Sequence, residues 1–214
     1  MSDPHDLSAG EFSTWLSETR TALKNDTGTD VPCGECNACC RSSYFIHIKP
    51  AETEALSHIP AELLFPAPGL PEGHVLMGYD EKGCCPMLKN GACSIYEHRP
   101  LTCRSYDCRI FPATGLQISG KEKRLISQQV QRWKFKQSQT EGKQKQKALE
   151  QAAAFLNHKS KLFPAGEIPG NPTQLAIMAI KIYDLFLEDS DNLTDDKKMV
   201  EAIIQAREEF NTPG

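Results

Sequence analysis

Cys33, Cys36, Cys39 and Cys40 fall within eight residues and are followed at once by Arg41. Cys84, Cys85, Cys93, Cys103 and Cys108 form a second group, so all nine cysteines of the 214-residue chain lie between positions 33 and 108. Thiols gathered this way point to metal ligation. Zinc and iron–sulfur sites both take deprotonated cysteine sulfur from short loops that bring several thiolates to one point. Nine is also an odd count, which argues against a complete disulfide framework.

Cys33-x2-Cys36 is a half-site for either kind of centre. Its extension to Cys39 resembles the start of the bacterial ferredoxin run, which takes its fourth ligand from elsewhere. Cys40 is harder to seat on the same ion as Cys39, because successive side chains tend to diverge. It serves a second metal or reaches toward the second group. The spacing is compatible with two tetrahedral sites, one larger cluster, or one cluster with spare thiols. Arg41, Arg99, Arg104 and Arg109 each lie within a few residues of a ligand candidate. A zinc ion held by four thiolates carries net negative charge, and N–H donors near the sulfurs would relieve it.

Other side chains have plainer accounts. His98 sits between cysteines and is a candidate ligand, whereas His47 and His74 fit a half-buried strand and a loop. Asp107 suits the orientation of an arginine, and Tyr96 and Tyr106 suit packing. Residues 121–149 hold nine Lys or Arg against Glu122 and Glu141. A solvated helical face explains that run, with nucleic-acid binding as its alternative. No Walker loop, dinucleotide-binding glycine pattern or serine-hydrolase elbow occurs.

The cysteine segment resembles the bacterial cysteine-cluster (CxxCxxCC) family of zinc- or iron-chelating domains. The likeness runs through Cys33, Cys36, Cys39, Cys40 and Arg41, then Cys85 with Leu88. It continues through Cys93, Ile95, Tyr96, Arg99, Pro100, Cys103, Arg104 and Cys108. It implies that Cys33, Cys36, Cys39, Cys40, Cys85, Cys93, Cys103 and Cys108 are the ligands and that Cys84 is extra. A related cysteine pattern occurs in the larger flagellin lysine N-methylases, which implies cluster-dependent methyl transfer as an alternative chemistry.

The elements that must position these residues are short. Phe12, Trp15, Leu16 and Leu23 predict a helix over 8–24, and residues 44–48 predict a strand. Pro50 opens a helix over 51–58, the proline-rich stretch 60–75 reads as loop, and Asn90-Gly91 marks a hairpin. Beyond residue 116, helical spacing links Ile126, Val130 and Trp133, then Leu149, Ala152, Ala153 and Leu156. Asn171-Pro172 starts a helix running through Leu185, and Thr194 caps a last one carrying Val200, Ile203 and Ile204.

The fold expected is α+β: a small irregular cysteine-rich core over 31–115, an N-terminal helix within 1–30, and a mainly helical region over 116–214. Mean hydropathy is −0.46 and net charge −4. No apolar run is long enough to span a membrane and no basic-then-apolar leader opens the chain, so the cytosol is the expected compartment. The expected function is metal binding, with zinc or iron, including an iron–sulfur cluster, as cofactor. The alternatives are a cluster-dependent transferase and a zinc-stabilised module that holds a protein or nucleic-acid partner.

Overall fold

The computed structural model describes residues 6–29, 31, 33–118, 120, 123–137, 140–187 and 195–212. The chain forms two compact units. The first comprises residues 1–26, 108–118 and 130–214, and the second residues 27–107 and 119–129. The mixed α+β class expected from the sequence is borne out, with small sheets and predominant helix.

In the first unit, α1 (Phe12–Lys24) buries Phe12, Trp15, Leu16 and Ala22 along one face. The helix does not begin at Ser8, as its periodicity suggests. Residues Leu7–Glu11 are a strand, β1, paired in parallel with β7 (Trp133–Lys136), with Leu7 opposite Trp133 and a register shift before Glu11 meets Lys136. The helical stripe through Ile126, Val130 and Trp133 therefore ends early: α5 covers Arg124–Arg132, and Trp133 opens a strand. The alternation Trp-Lys-Phe-Lys explains it, because period two sends both aromatics to one face of an extended chain. That face meets α1. Phe135 lies 5.2 Å from Phe12 and 4.9 Å from Trp15, ring to ring.

The rest of this unit is helical. α4 (Ile110–Thr114) is followed by α6 (Thr140–His158), whose Leu149, Ala152, Ala153 and Leu156 are wholly buried as their spacing predicts. α7 (Pro172–Ile182) starts where Asn171 accepts a hydrogen bond from the Thr173 N–H at 2.8 Å. Proline at the first helical position loses no bond there. α6 packs on α7, and the small residues Ala176 and Ala179 permit a close approach. α7 stops at Ile182 and passes into a 3-10 helix over Tyr183–Phe186, short of the expected run through Leu185 as one helix. The last helix, α8 (Asp196–Asn211), is capped by Asp195, whose carboxylate accepts from the Lys197 N–H at 3.0 Å. Thr194, the expected cap, lies outside the described residues. Val200 and Ile203 are buried as expected.

The second unit is built from short pieces. β2 (Ile46–Ile48), β4 (Val75–Met77) and β3 (Leu64–Pro66) form an antiparallel sheet with β4 in the middle. The stretch 60–75 is thus not all loop. Pro66 hid the strand β3, yet proline is tolerated where a strand lies at the edge of its sheet. α2 covers Thr53–Ser57 and α3 covers Leu101–Ser105, directly after Pro100. β5 (Leu88–Lys89) and β6 (Ala92–Cys93) make the expected hairpin. Asn90 (φ 52°) and Gly91 (φ 82°) are both left-handed, the requirement of the two-residue turn that suits strand twist. Ile48, Ile59, Met77, Met87 and Ile95 make a small apolar core, against which Cys85 and Cys93 pack.

Candidate metal centre

The first cysteine motif is a pair of tight turns. Cys36 N–H donates to the Cys33 carbonyl at 2.9 Å, and a 3-10 helix over Cys39–Arg41 follows, with Arg41 N–H donating to Ala38 at 3.1 Å. The Ser42 hydroxyl, buried, donates to the same Ala38 carbonyl at 2.6 Å. Turns this tight gather side chains that a helix or strand would spread.

Two backbone bonds join this motif to the second group. Cys85 N–H donates to the Cys40 carbonyl at 2.7 Å, and Ser43 N–H donates to the Gly83 carbonyl at 3.0 Å. Gly83 is obligatory at that crossing, since its φ is +75° and a Cβ there would run into the Ser43 hydroxyl. A side-chain bond adds a third tie: the Asn37 amide donates to the Gly91 carbonyl of the hairpin at 2.9 Å. Cys103 is carried by α3. The first turn of that helix is held by the Glu52 carboxylate, which accepts from the Leu101 N–H, and Thr102 Oγ1 donates to the His47 carbonyl at 2.6 Å.

The thiols so gathered interact electrostatically. Burial, then the neighbouring Cys85, Cys93, Cys33 and Cys36, push the Cys40 thiol up to about 12. Burial, then Cys85, Cys40 and Cys93, push Cys103 up to about 12 against the downward pull of the Arg99 guanidinium. Cys85 is raised chiefly by burial, while hydrogen bonds from the Met87 and Leu88 backbone N–H groups oppose the rise. Cys40 thus lies within electrostatic reach of Cys33, Cys36, Cys85 and Cys93, and Cys103 within reach of Cys40, Cys85 and Cys93, while Cys85 feels Cys84 as well as Cys93. Among the described residues, no three His, Cys, Asp or Glu side chains stand at the spacing that holds a metal ion.

The remaining candidates lie as follows. Cys39 shares the 3-10 helix with Cys40. Cys84 directs its Sγ to the Lys82 carbonyl at 4.0 Å. Cys108 belongs to the first unit, buried, with its Sγ accepting from the Trp133 indole N–H at 3.2 Å. Arg99 lies over the Tyr96 ring at 3.5 Å and donates through Nε to the Tyr96 carbonyl at 2.7 Å. Arg41 and Arg104 are exposed. Arg109, buried in the first unit, donates to the Ala9 carbonyl at 3.3 Å. His98 turns its Nδ1 to Glu54, and His47 Nε2 meets His74 Nδ1 at 2.8 Å. Neither Asn37 as a tie nor the Met87 and Leu88 N–H groups as donors to sulfur could be read from residue types and spacing, because these roles depend on backbone direction.

Nine cysteines without a disulfide, several of them half-buried and mutually repelling once ionised, form a donor set that fits a cation with an appetite for sulfur. Zinc and iron both have it. Residues 32–125 match the CxxCxxCC family model, described as "Putative zinc- or iron-chelating domain". The CxxCxxCC match takes in all nine cysteines. Neither the curated proteins nor the solved structures yield a match.

The rest of the chain adds two facts. The basic stretch 121–149 is not one helical face: it spans α5, β7 and the start of α6, and some of its lysines have acidic partners, such as Lys145 with Glu141 at 2.6 Å. Among the described residues, no helix is long and apolar enough to cross a membrane.

Proposed function

We propose that the CxxCxxCC region is a thiolate chelator in a cytosolic protein, holding zinc or iron, or an iron–sulfur cluster. Within the second unit its ligands are drawn from Cys33, Cys36, Cys39, Cys40, Cys85, Cys93 and Cys103. The observation that carries this reading is the bond from the Cys85 N–H to the Cys40 carbonyl. It fixes the two sequence groups to one another at the residues whose sulfurs interact. A bound cation would supply the positive charge that lets several of these thiols ionise together, which burial and mutual repulsion otherwise oppose. The protein's own part is to hold the sulfurs on tight turns and to donate backbone N–H groups to Cys85. It also sets the Arg99 charge beside Cys103; Arg41 and Arg104, in the same unit, are assigned the same task of offsetting sulfur charge.

Anaerobic purification followed by metal analysis and a visible absorption spectrum tests this. The expected result is zinc or iron bound to the chain, with sulfur-to-iron absorption if the metal is iron, and its loss in Cys40→Ser. Protein that purifies with no metal and takes up neither zinc nor iron would overturn it.

A further inference from the structure

We propose that a cavity in the first unit binds a small phosphate monoester. The cavity, of about 390 Å3, runs along α1, which lines it with Ser13, Ser17, Arg20 and Lys24, while Lys145 of α6 and Tyr183 add to the polar lining. Positions four apart lie one above the other on a helix, so Ser13 and Ser17 share one ridge of α1 and Arg20 and Lys24 the next. Among the described residues that line the cavity, none is acidic and none is a cysteine. No sulfur takes part, so the proposal stands independently of the cysteine reading.

The cations are set for an anion. Arg20 is held in place before any ligand arrives: its guanidinium lies over the Tyr183 ring at 4.9 Å and the Phe210 ring at 5.6 Å, and donates to the Lys181 carbonyl at 3.5 Å. A guanidinium fixed in this way loses little freedom on binding. The acids that meet the cations stand toward solvent. Asp184, paired with Arg20, is 48% exposed against 28% for the arginine, and Glu141, paired with Lys145, is 62% exposed against 25% for the lysine. Exposed ion pairs are weak, so an arriving dianion can take over both cations. Lys24, in the last turn of α1, offsets the negative end of the helix dipole there.

The donors select phosphate over carboxylate. The Thr21 hydroxyl is spent on the Ser17 carbonyl at 2.9 Å, which leaves Ser13 and Ser17 as the hydroxyl donors of the helix. Burial chiefly raises the Tyr183 hydroxyl, so the phenol keeps its proton at neutral pH and donates as well. Three cations and three hydroxyls exceed what the two oxygens of one carboxylate use. They suit the three terminal oxygens of a phosphate monoester, which carries about two negative charges near neutral pH. The volume lies within the range of small-molecule pockets, which begins at about 300 Å3, and leaves room for an organic group beside the phosphate. Phe210 supplies an apolar wall for that group.

The test is calorimetric titration of the full-length protein, as purified, with phenyl phosphate, inorganic phosphate and benzoate at low salt, paired with amide NMR. Phenyl phosphate should bind one equivalent, at least fivefold more tightly than either of the other two, and added NaCl should weaken it. Lys24→Gln and Lys145→Gln should each lower its affinity at least fivefold, whereas Lys143→Gln, on the same helix as Lys145 but outside the cavity, should leave it unchanged. The amide signals of Ser17 and Tyr183 should move on binding. Phenyl phosphate that does not bind, or that binds Lys145→Gln and the unaltered protein alike, would overturn the assignment. So would benzoate or inorganic phosphate binding as tightly, or signals that move only in the cysteine segment.

Discussion

Cys40 and Cys85 are joined through the backbone: the Cys85 N–H donates to the Cys40 carbonyl at 2.7 Å, and the Cys85 thiol is close enough to raise the pKa of Cys40. Cys84, one residue away, turns its sulfur to the Lys82 carbonyl instead. Cys85→Ser should therefore cut bound metal by at least tenfold, while Cys84→Ser leaves it unchanged. Metal analysis of the two purified variants decides between them, and the reverse outcome would place the ligand one residue upstream.

Alkali should destabilise the metal-free protein. Cys103 is raised in the folded state to about 12 from an ordinary value of 9.0. A group raised on folding contributes stability that is intact below the unfolded value and disappears as pH climbs through the folded one. Denaturant midpoints of chelated protein should thus fall between pH 9 and about 12, and the fall should shrink in Cys103→Ser. Loading with metal at neutral pH should release protons, measurable in weakly buffered solution.

The hairpin bond should tune affinity without changing stoichiometry. Asn37→Ala removes the amide that donates to the Gly91 carbonyl, a loss of about 1 kcal/mol, or roughly fivefold in metal affinity. Gly91→Ala forces a Cβ into φ +82° and should cost about 1 kcal/mol or more. Competition against a coloured chelator reads both effects, and the ion count per chain should stay constant.

Chelation should act unevenly. The second unit rests on a small core of Ile48, Ile59, Met77, Met87 and Ile95, and structural zinc contributes on the order of 10 kcal/mol to comparable folds. The first unit buries Phe12, Leu149, Leu156, Ile180 and Ile203 with no thiol beyond Cys108. Stripping the metal should expose residues 31–107 to protease while most helical circular dichroism persists. Unchanged protease resistance would show that the cysteines do not hold that region together.

Much of this was legible in the sequence where the signal is local. The cysteine spacing, the Asn90-Gly91 turn and the Leu149–Leu156 stripe each fit within one or two turns of chain. β1 and β7 were not legible as a pair, because Leu7 and Trp133 meet only through tertiary contact. β3 was masked by Pro66, whose edge position cannot be known before the sheet is assembled. His98 stood out among its cysteine neighbours, but its partner His58 did not. Only the fold stacks the two rings and brings Glu54 to the Nδ1 of each.

The parallel pairing of Leu7 with Trp133 has a kinetic side. Every cysteine lies in the chain between these two residues, so the first unit closes its strand pair only by looping out the whole thiol-bearing segment. The entropy of such closure grows with the logarithm of loop length, and pairings this distant in sequence slow folding. A segment already drawn tight behaves as a shorter tether. Metal supply during synthesis would then set how fast the helical unit folds, even though that unit contributes only one cysteine.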